Sequence, residues 1–99
     1  MEQTGLRPVV VWQGDGLTRA LQSVLVVPVT TNLARANLAD TALIRAQPEG
    51  PPHDSLALAF QLRAVAKTCL RQRMRSLDEA ELAELDIATD EALGRIGPT

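Results

Sequence analysis

The chain has 99 residues, 45% apolar and 22% charged, with 6 glycines and 6 prolines. That composition describes one ordinary globular domain spanning residues 1–99, with room for a single core, and excludes disordered and fibrous classes. No apolar run approaches the roughly 18 residues of a membrane span, and Met1-Glu2-Gln3-Thr4-Gly5 has no signal-peptide character. The expectation is a cytoplasmic protein without a membrane partner.

The formal net charge of −2 hides a segregation of signs. Residues 1–76 carry nine basic side chains against five acidic ones, a balance of +4, whereas residues 77–99 carry seven acids against Arg95 alone, a balance of −6. A basic body beside an acidic end draws a polyanion to one face and keeps the other self-repelling.

In chain order, Val9-Val10-Val11-Trp12 reads as a β-branched strand closed by a turn at Gly14-Asp15-Gly16. Ser23 to Thr31 is a second strand, apolar on both faces and therefore central, with Pro28 marking a bulge or a free edge because proline cannot donate to a ladder. Thr41 to Arg45 forms a third strand, and Gln47 to His53 is a proline-rich loop. Ser55 to Phe60 and Leu70 to Met74 complete five strands, the last with a wet face of Arg71, Arg73 and Arg75.

Ser76 and Glu79 form a capping box that opens a terminal helix. Its apolar stripe runs through Leu82, Leu85, Thr89, Ala92, Leu93 and Ile96 until Gly97-Pro98 ends it. The fold class expected from these elements is mainly β with a C-terminal α-helix, arranged as a small, half-open, SH3-like β-barrel.

Several chemistries are unsupported by the residues. Gly14-Asp15-Gly16 lacks the third glycine and the crossover helix of a dinucleotide site. His53 is the only histidine and has no partner for a triad or a His-pair mechanism. The helix acids are spread over several faces rather than gathered with His53, so no metal and no cofactor is expected. Cys69 reads as a small packed hydrophobe. What remains is arginine with hydroxyl and amide donors: Arg7, Thr30, Thr31, Ser55, Gln61 and Arg63. That set suits phosphate, because a guanidinium offers paired hydrogen bonds to its oxygens and keeps its charge.

Glu2 to Val11 with Gln13 and Asp15, Val26-Val27-Pro28-Val29-Thr30, Asp54-Ser55, Phe60 to Lys67, Leu82 to Asp86 and Ala92-Leu93-Gly94 follow one another in a familiar order. The chain resembles the MazF/PemK family of toxin endoribonucleases over nearly its whole length. The resemblance implies a MazF/CcdB-like barrel, a homodimer, and metal-independent cleavage of single-stranded RNA at short sequences. It also implies inhibition by a cognate antitoxin presenting an acidic, disordered segment.

By the same resemblance Arg7 and Thr30 are the catalytic pair, and Glu2, Gln3, Thr31, Ser55, Gln61 and Arg63 bind RNA. The implied reaction is attack of a 2′-hydroxyl on the neighbouring phosphate, giving a 2′,3′-cyclic phosphate and a 5′-hydroxyl. Arginine beside threonine suits stabilisation of the charge that builds on the phosphoryl oxygens. An arginine is a poor general base, since its neutral form is scarce, so the proton acceptor stays unassigned. Trp12 offers a face for base stacking, although its place on an apolar strand assigns it to the core.

The sequence also departs from the family pattern. Members usually open with a further strand rich in Gly, Asp and Trp, whereas Met1 falls in the loop that follows it, so the expectation is a shortened first sheet edge. Ala64 and Ala66 stand where threonine and aspartate are common. Two other readings stay open: an inactive relative that binds only antitoxin or nucleic acid, and the related gyrase-poisoning toxin. The second is disfavoured because the chain ends without that toxin's terminal tryptophan.

Overall fold

The computed structural model describes residues 7–36, 40–48 and 50–94. Five strands form one open, mixed-partner sheet: β1 (Val9–Val11), β2 (Ser23–Thr30), β3 (Thr41–Ile44), β4 (Ser55–Leu58) and β5 (Arg63–Ala66). Two helices accompany them, α1 (Asp15–Ala20) and α2 (Glu79–Ala92). All the pairings are antiparallel. The strand order is β1-β2-β4-β3 with β5 also on β2, which gives the half-open barrel expected from the sequence.

Strand β2 organises this arrangement. One side of it pairs with β1, from Val9↔Pro28 to Val11↔Val26. The other side pairs with β5 at Ser23 to Val26 and then with β4 at Val29 and Thr30. Between those partners the chain turns a corner through a 3-10 turn at Ala59–Gln61. Pro28 sits at that corner. Gln22 accepts from Lys67 on the β5 side, so by alternation Pro28 presents its backbone nitrogen to the gap between β5 and β4, where no donor is needed.

From Val26 onward β2 is buried or half-buried on both faces, as its apolar run there requires, whereas Ser23 and Leu25 are exposed. One face contributes Val27 and Val29 to a core with Ala42, Ile44, Ala57 and Ala59, against which α2 lays Leu85 and Ala88. The other buries Val24 and Val26 beside Leu56 and Leu58. The helix stripe is narrower than its periodicity suggested: Leu82 and Leu93 remain 44% and 56% exposed, and Ile96 with Gly97-Pro98 lies outside the described residues.

Helix α2 begins two residues later than the sequence reading. Its N-cap is Asp78, whose carboxylate accepts from Glu81 N–H at 2.8 Å while Glu81 accepts from Asp78 N–H at 3.0 Å. The later start wins because Glu81 is already held. Arg75 donates two bonds to its carboxylate, at 2.8 and 2.9 Å, and Arg45 N–H adds a third at 3.0 Å. The Arg75 and Glu81 side chains are only 9% and 1% exposed, and Arg75 also donates to the carbonyls of Ser76 and Arg45. Glu84 accepts from Leu43 N–H at 3.2 Å. Two helix carboxylates therefore occupy the outward donors of β3, which would otherwise be an unpaired edge.

Three local expectations change. Gly14-Asp15-Gly16 opens the short helix α1 instead of a tight turn: Thr18 and Leu21 N–H donate to Gly14 and Leu17 carbonyls, and Lys67 Nζ bonds Thr18 O and Leu21 O at its end. The fifth strand is Arg63–Ala66 rather than Leu70–Met74, because β2 offers its pairing groups immediately after the corner. The arginine-rich stretch is extended but unpaired, and Arg75 turns inward to meet Glu81. The fourth strand stops at Leu58, where the 3-10 turn takes over.

Removing one partner of a buried ion pair leaves the other uncompensated. Glu81→Gln is expected to lower unfolding stability by on the order of 3 kcal/mol in a denaturant titration. The Arg75 guanidinium lowers the Glu81 pKa from 4.5 to about 2. The bridge therefore stabilises fully above about pH 4.5 and fades as the pH falls toward 2. Glu81→Gln removes that part of the acid dependence. Gly50 abuts the same arginine: a Cβ there would lie 2.7 Å from Arg75 Nε. Gly50→Ala is expected to cost about 2 kcal/mol by overpacking a side chain held in place, read in the same titration.

Candidate functional site

The β1–β2 register carries the site. Trp12 N–H donates to Leu25 O at 2.9 Å, which makes that pair hydrogen-bonded and Val11↔Val26 and Val9↔Pro28 the alternate, non-hydrogen-bonded kind. The observed pairing ends at Val9↔Pro28, two residues short of Arg7 on one strand and of Thr30 on the other; the same register extended past the end of β1 would bring those two positions across from each other. In such pairs the Cα atoms are about 4.5 Å apart and the side chains stand close together on one face. Arg7 is exposed and Thr30 half-buried, as suits a long cation leaning over a hydroxyl at a sheet's end. Among the described residues Arg7 forms no ion pair. The proline after Arg7 also helps, since it confines Arg7 to the extended backbone.

Thr30 closes β2 in a defined turn. Its Oγ1 accepts from Asn32 N–H at 3.1 Å, and Asn32 Oδ1 accepts from Ala34 N–H at 3.0 Å to cap the 3-10 turn Leu33–Arg35. A hydroxyl holds one donor and two acceptor sites. With one acceptor site used, and no acceptor for its own proton among the described residues, Thr30 keeps a donor to offer.

The other residues singled out by sequence are placed as follows. Thr31 is exposed immediately beyond Thr30. Gln61 is exposed at the end of the 3-10 turn. Arg63 is exposed at the start of β5 and pairs with Val26. Alternation along β2 puts Arg63 on the same side as Thr30, four residues or about 13 Å away along the strand. Ser55 differs from expectation: it is 0% exposed and its hydroxyl donates to His53 O at 3.0 Å. Paired with Ile44 of β3 and bonded to the loop before it, Ser55 shapes the entry to β4. Glu2 and Gln3 lie outside the described residues.

His53 is exposed in its loop, Cys69 is exposed rather than packed, and Trp12 is half-buried against the core. Among the described residues no three His, Cys, Asp or Glu side chains gather as metal ligands. No helix of the described residues is long and apolar enough to cross a membrane. The residue that sequence reasoning passed over is Asn32. The signal was present in the Thr30-Thr31-Asn32 run, whose spacing allows hydroxyl and Asx turns in succession.

Comparison with known proteins places this geometry in a lineage. The model of the PemK-like, MazF-like toxins of type II toxin-antitoxin systems matches residues 1–93. Endoribonuclease MazF of Staphylococcus epidermidis is 31% identical over 93 residues, covering 94% of this chain and 78% of that protein. Endoribonuclease EndoA of Bacillus subtilis is 32% identical over 95 residues, covering 96% and 82%. A solved mycobacterial endoribonuclease in complex with its cognate antitoxin superposes with a TM-score of 0.78 at 20% identity, covering 96% of this chain and 87% of that one. The match spans β1 and β2 alike, and the chain belongs to the PemK-like, MazF-like toxins of type II toxin-antitoxin systems.

Proposed function

We propose that the chain is an endoribonuclease toxin that cleaves single-stranded RNA in a sequence-specific, metal-independent reaction. The observation that carries this reading is the antiparallel β1–β2 register, Val11↔Val26 to Val9↔Pro28, whose extension by two residues would set Arg7 across from Thr30. The names of the relatives support it.

In the proposed reaction the 2′-hydroxyl attacks the adjacent phosphorus, a new P–O2′ bond forms and the P–O5′ bond breaks. The 2′-hydroxyl gives up its proton and the departing 5′-oxygen gains one, leaving a 2′,3′-cyclic phosphate and a 5′-hydroxyl. Negative charge grows on the non-bridging oxygens in between. Arg7 offsets that charge with paired N–H donors, and Thr30 donates its hydroxyl to the same group, both fixed by the sheet before the substrate arrives. Thr31, Gln61 and Arg63 track the RNA beyond the scissile phosphate, with Glu2 and Gln3 as further contacts. Ser55 contributes by holding the His53–Asp54 turn.

The working form is a cytoplasmic homodimer, a reading supported by large apolar side chains left uncovered on one chain, among them Val11, Leu17, Leu21 and Leu25. Its natural inhibitor is a cognate antitoxin whose acidic, disordered segment occupies the arginine-lined face in place of RNA. The solved relative bound to its antitoxin supports that partner class.

Arg7→Ala and Thr30→Ala are each expected to lower kcat on a single-stranded RNA by about a hundredfold or more, in excess chelator and with the thermal unfolding midpoint preserved. Product ends should be 2′,3′-cyclic phosphate and 5′-hydroxyl, and an oligonucleotide with a 2′-deoxy sugar at the scissile position should survive. Undiminished cleavage by folded Arg7→Ala would remove it from the mechanism.

A further inference from the structure

The turn after β2 contains two side-chain-to-backbone bonds in series. Ala34 N–H donates to Asn32 Oδ1 at 3.0 Å, and Asn32 N–H donates to Thr30 Oγ1 at 3.1 Å. Each spans two residues, so the pair fixes the backbone from Thr30 through the 3-10 turn Leu33–Arg35. The bond at Asn32 is what holds the Asn32 peptide with its N–H aimed back at Thr30. Asn32 itself is exposed and belongs to neither face of the core, so packing gives no separate reason for an amide there.

We infer that Asn32 is a positioning residue for the Thr30 hydroxyl. An unrestrained hydroxyl rotates among its staggered positions and spends its proton on whatever acceptor is near. When Oγ1 accepts from Asn32 N–H, one side of the oxygen is occupied and the proton is left to the opposite side, free for a phosphate oxygen. The rotamer of threonine is selected at the same time, because the oxygen cannot leave the N–H without turning χ1. Asn32 touches no substrate in this role: it acts through its cap on Ala34, which sets the peptide, which sets the hydroxyl. The benefit belongs to the transition state, where a displaced donor is most expensive.

This inference rests on the proposed cleavage reaction, and a double-mutant cycle separates the two. The assay uses the full chain and one RNA oligonucleotide that the wild-type protein cuts. Asn32→Ala is expected to lower kcat by about ten- to a hundredfold with KM within about twofold and the unfolding midpoint almost unmoved. Asn32→Ser, whose hydroxyl also caps a helical turn, should recover most of the lost rate. In a Thr30→Ala background, Asn32→Ala should have no further effect on kcat, because the group it positions is gone.

An Asn32→Ala penalty of equal size in both backgrounds would overturn the positioning role while leaving the reaction standing. A rise in KM at constant kcat would likewise overturn it, by making Asn32 a substrate contact. Wild-type cleavage by Thr30→Ala would overturn both readings together.

Discussion

The structure depends on the antiparallel registers of one strand. Among the described residues β2 is the only element that pairs with three others, β1 along one side and β5 then β4 along the other. A slip of one residue in the β1 register would carry Arg7 to the opposite face from Thr30, since side chains alternate with a period of two. The register is held because Val10 packs on the core beside Val27 and Val29: a slip would turn Val10 away from the core and bring the exposed Val11 into it. Burial in the middle of the sheet thus fixes a polar geometry at its end.

Away from the site, the polar groups of the fold follow an equally strict pattern. The Glu81 carboxylate takes bonds from both terminal nitrogens of Arg75 and from the backbone of Arg45 and Asp78. A buried pair is tolerable only when its polar atoms are largely bonded, and here the carboxylate is, while Arg75 Nε is buried without a partner. The same helix supplies Glu84 to Leu43, so α2 does two things at once: its apolar side covers the core and its acids seal the β3 edge against another strand. The segregation of acids into the last quarter of the sequence therefore has a structural use besides solubility, since two of those acids hold the helix to the sheet.

Much of this was legible in the sequence, and what escaped did so for identifiable reasons. β2 was readable because a long apolar run with one proline has few solutions, and the corner at Pro28 is one of them. The capping box was readable as a motif and misplaced by two residues, because Ser76 and Asp78 both precede a glutamate at the right spacing and only the tertiary clamp on Glu81 chooses between them. Leu70 to Met74 imitates a strand through its alternating arginines, whereas the true β5, Arg63–Ala66, carries two alanines and weak β propensity. Availability of pairing groups on β2 decided the matter, and that is a property of the whole sheet.

The site divides in the same way. Arg7 and Thr30 lie 23 positions apart in the chain, and only the family resemblance linked them before the register gave a physical reason. Ser55 shows the opposite failure, for a serine beginning a strand does not reveal from sequence whether its hydroxyl meets solvent or, as here, the carbonyl of His53. Asn32 was passed over in the sequence and became meaningful only through the two bonds that surround it.

The most direct test of the account is a crystal structure of the chain with a single-stranded RNA whose scissile 2′-hydroxyl is replaced by hydrogen. The account predicts one phosphate held jointly by the Arg7 guanidinium and the Thr30 hydroxyl, with Arg7 and Thr30 facing each other across β1 and β2. A scissile phosphate bound elsewhere, or the two side chains on opposite faces of the sheet, would contradict it.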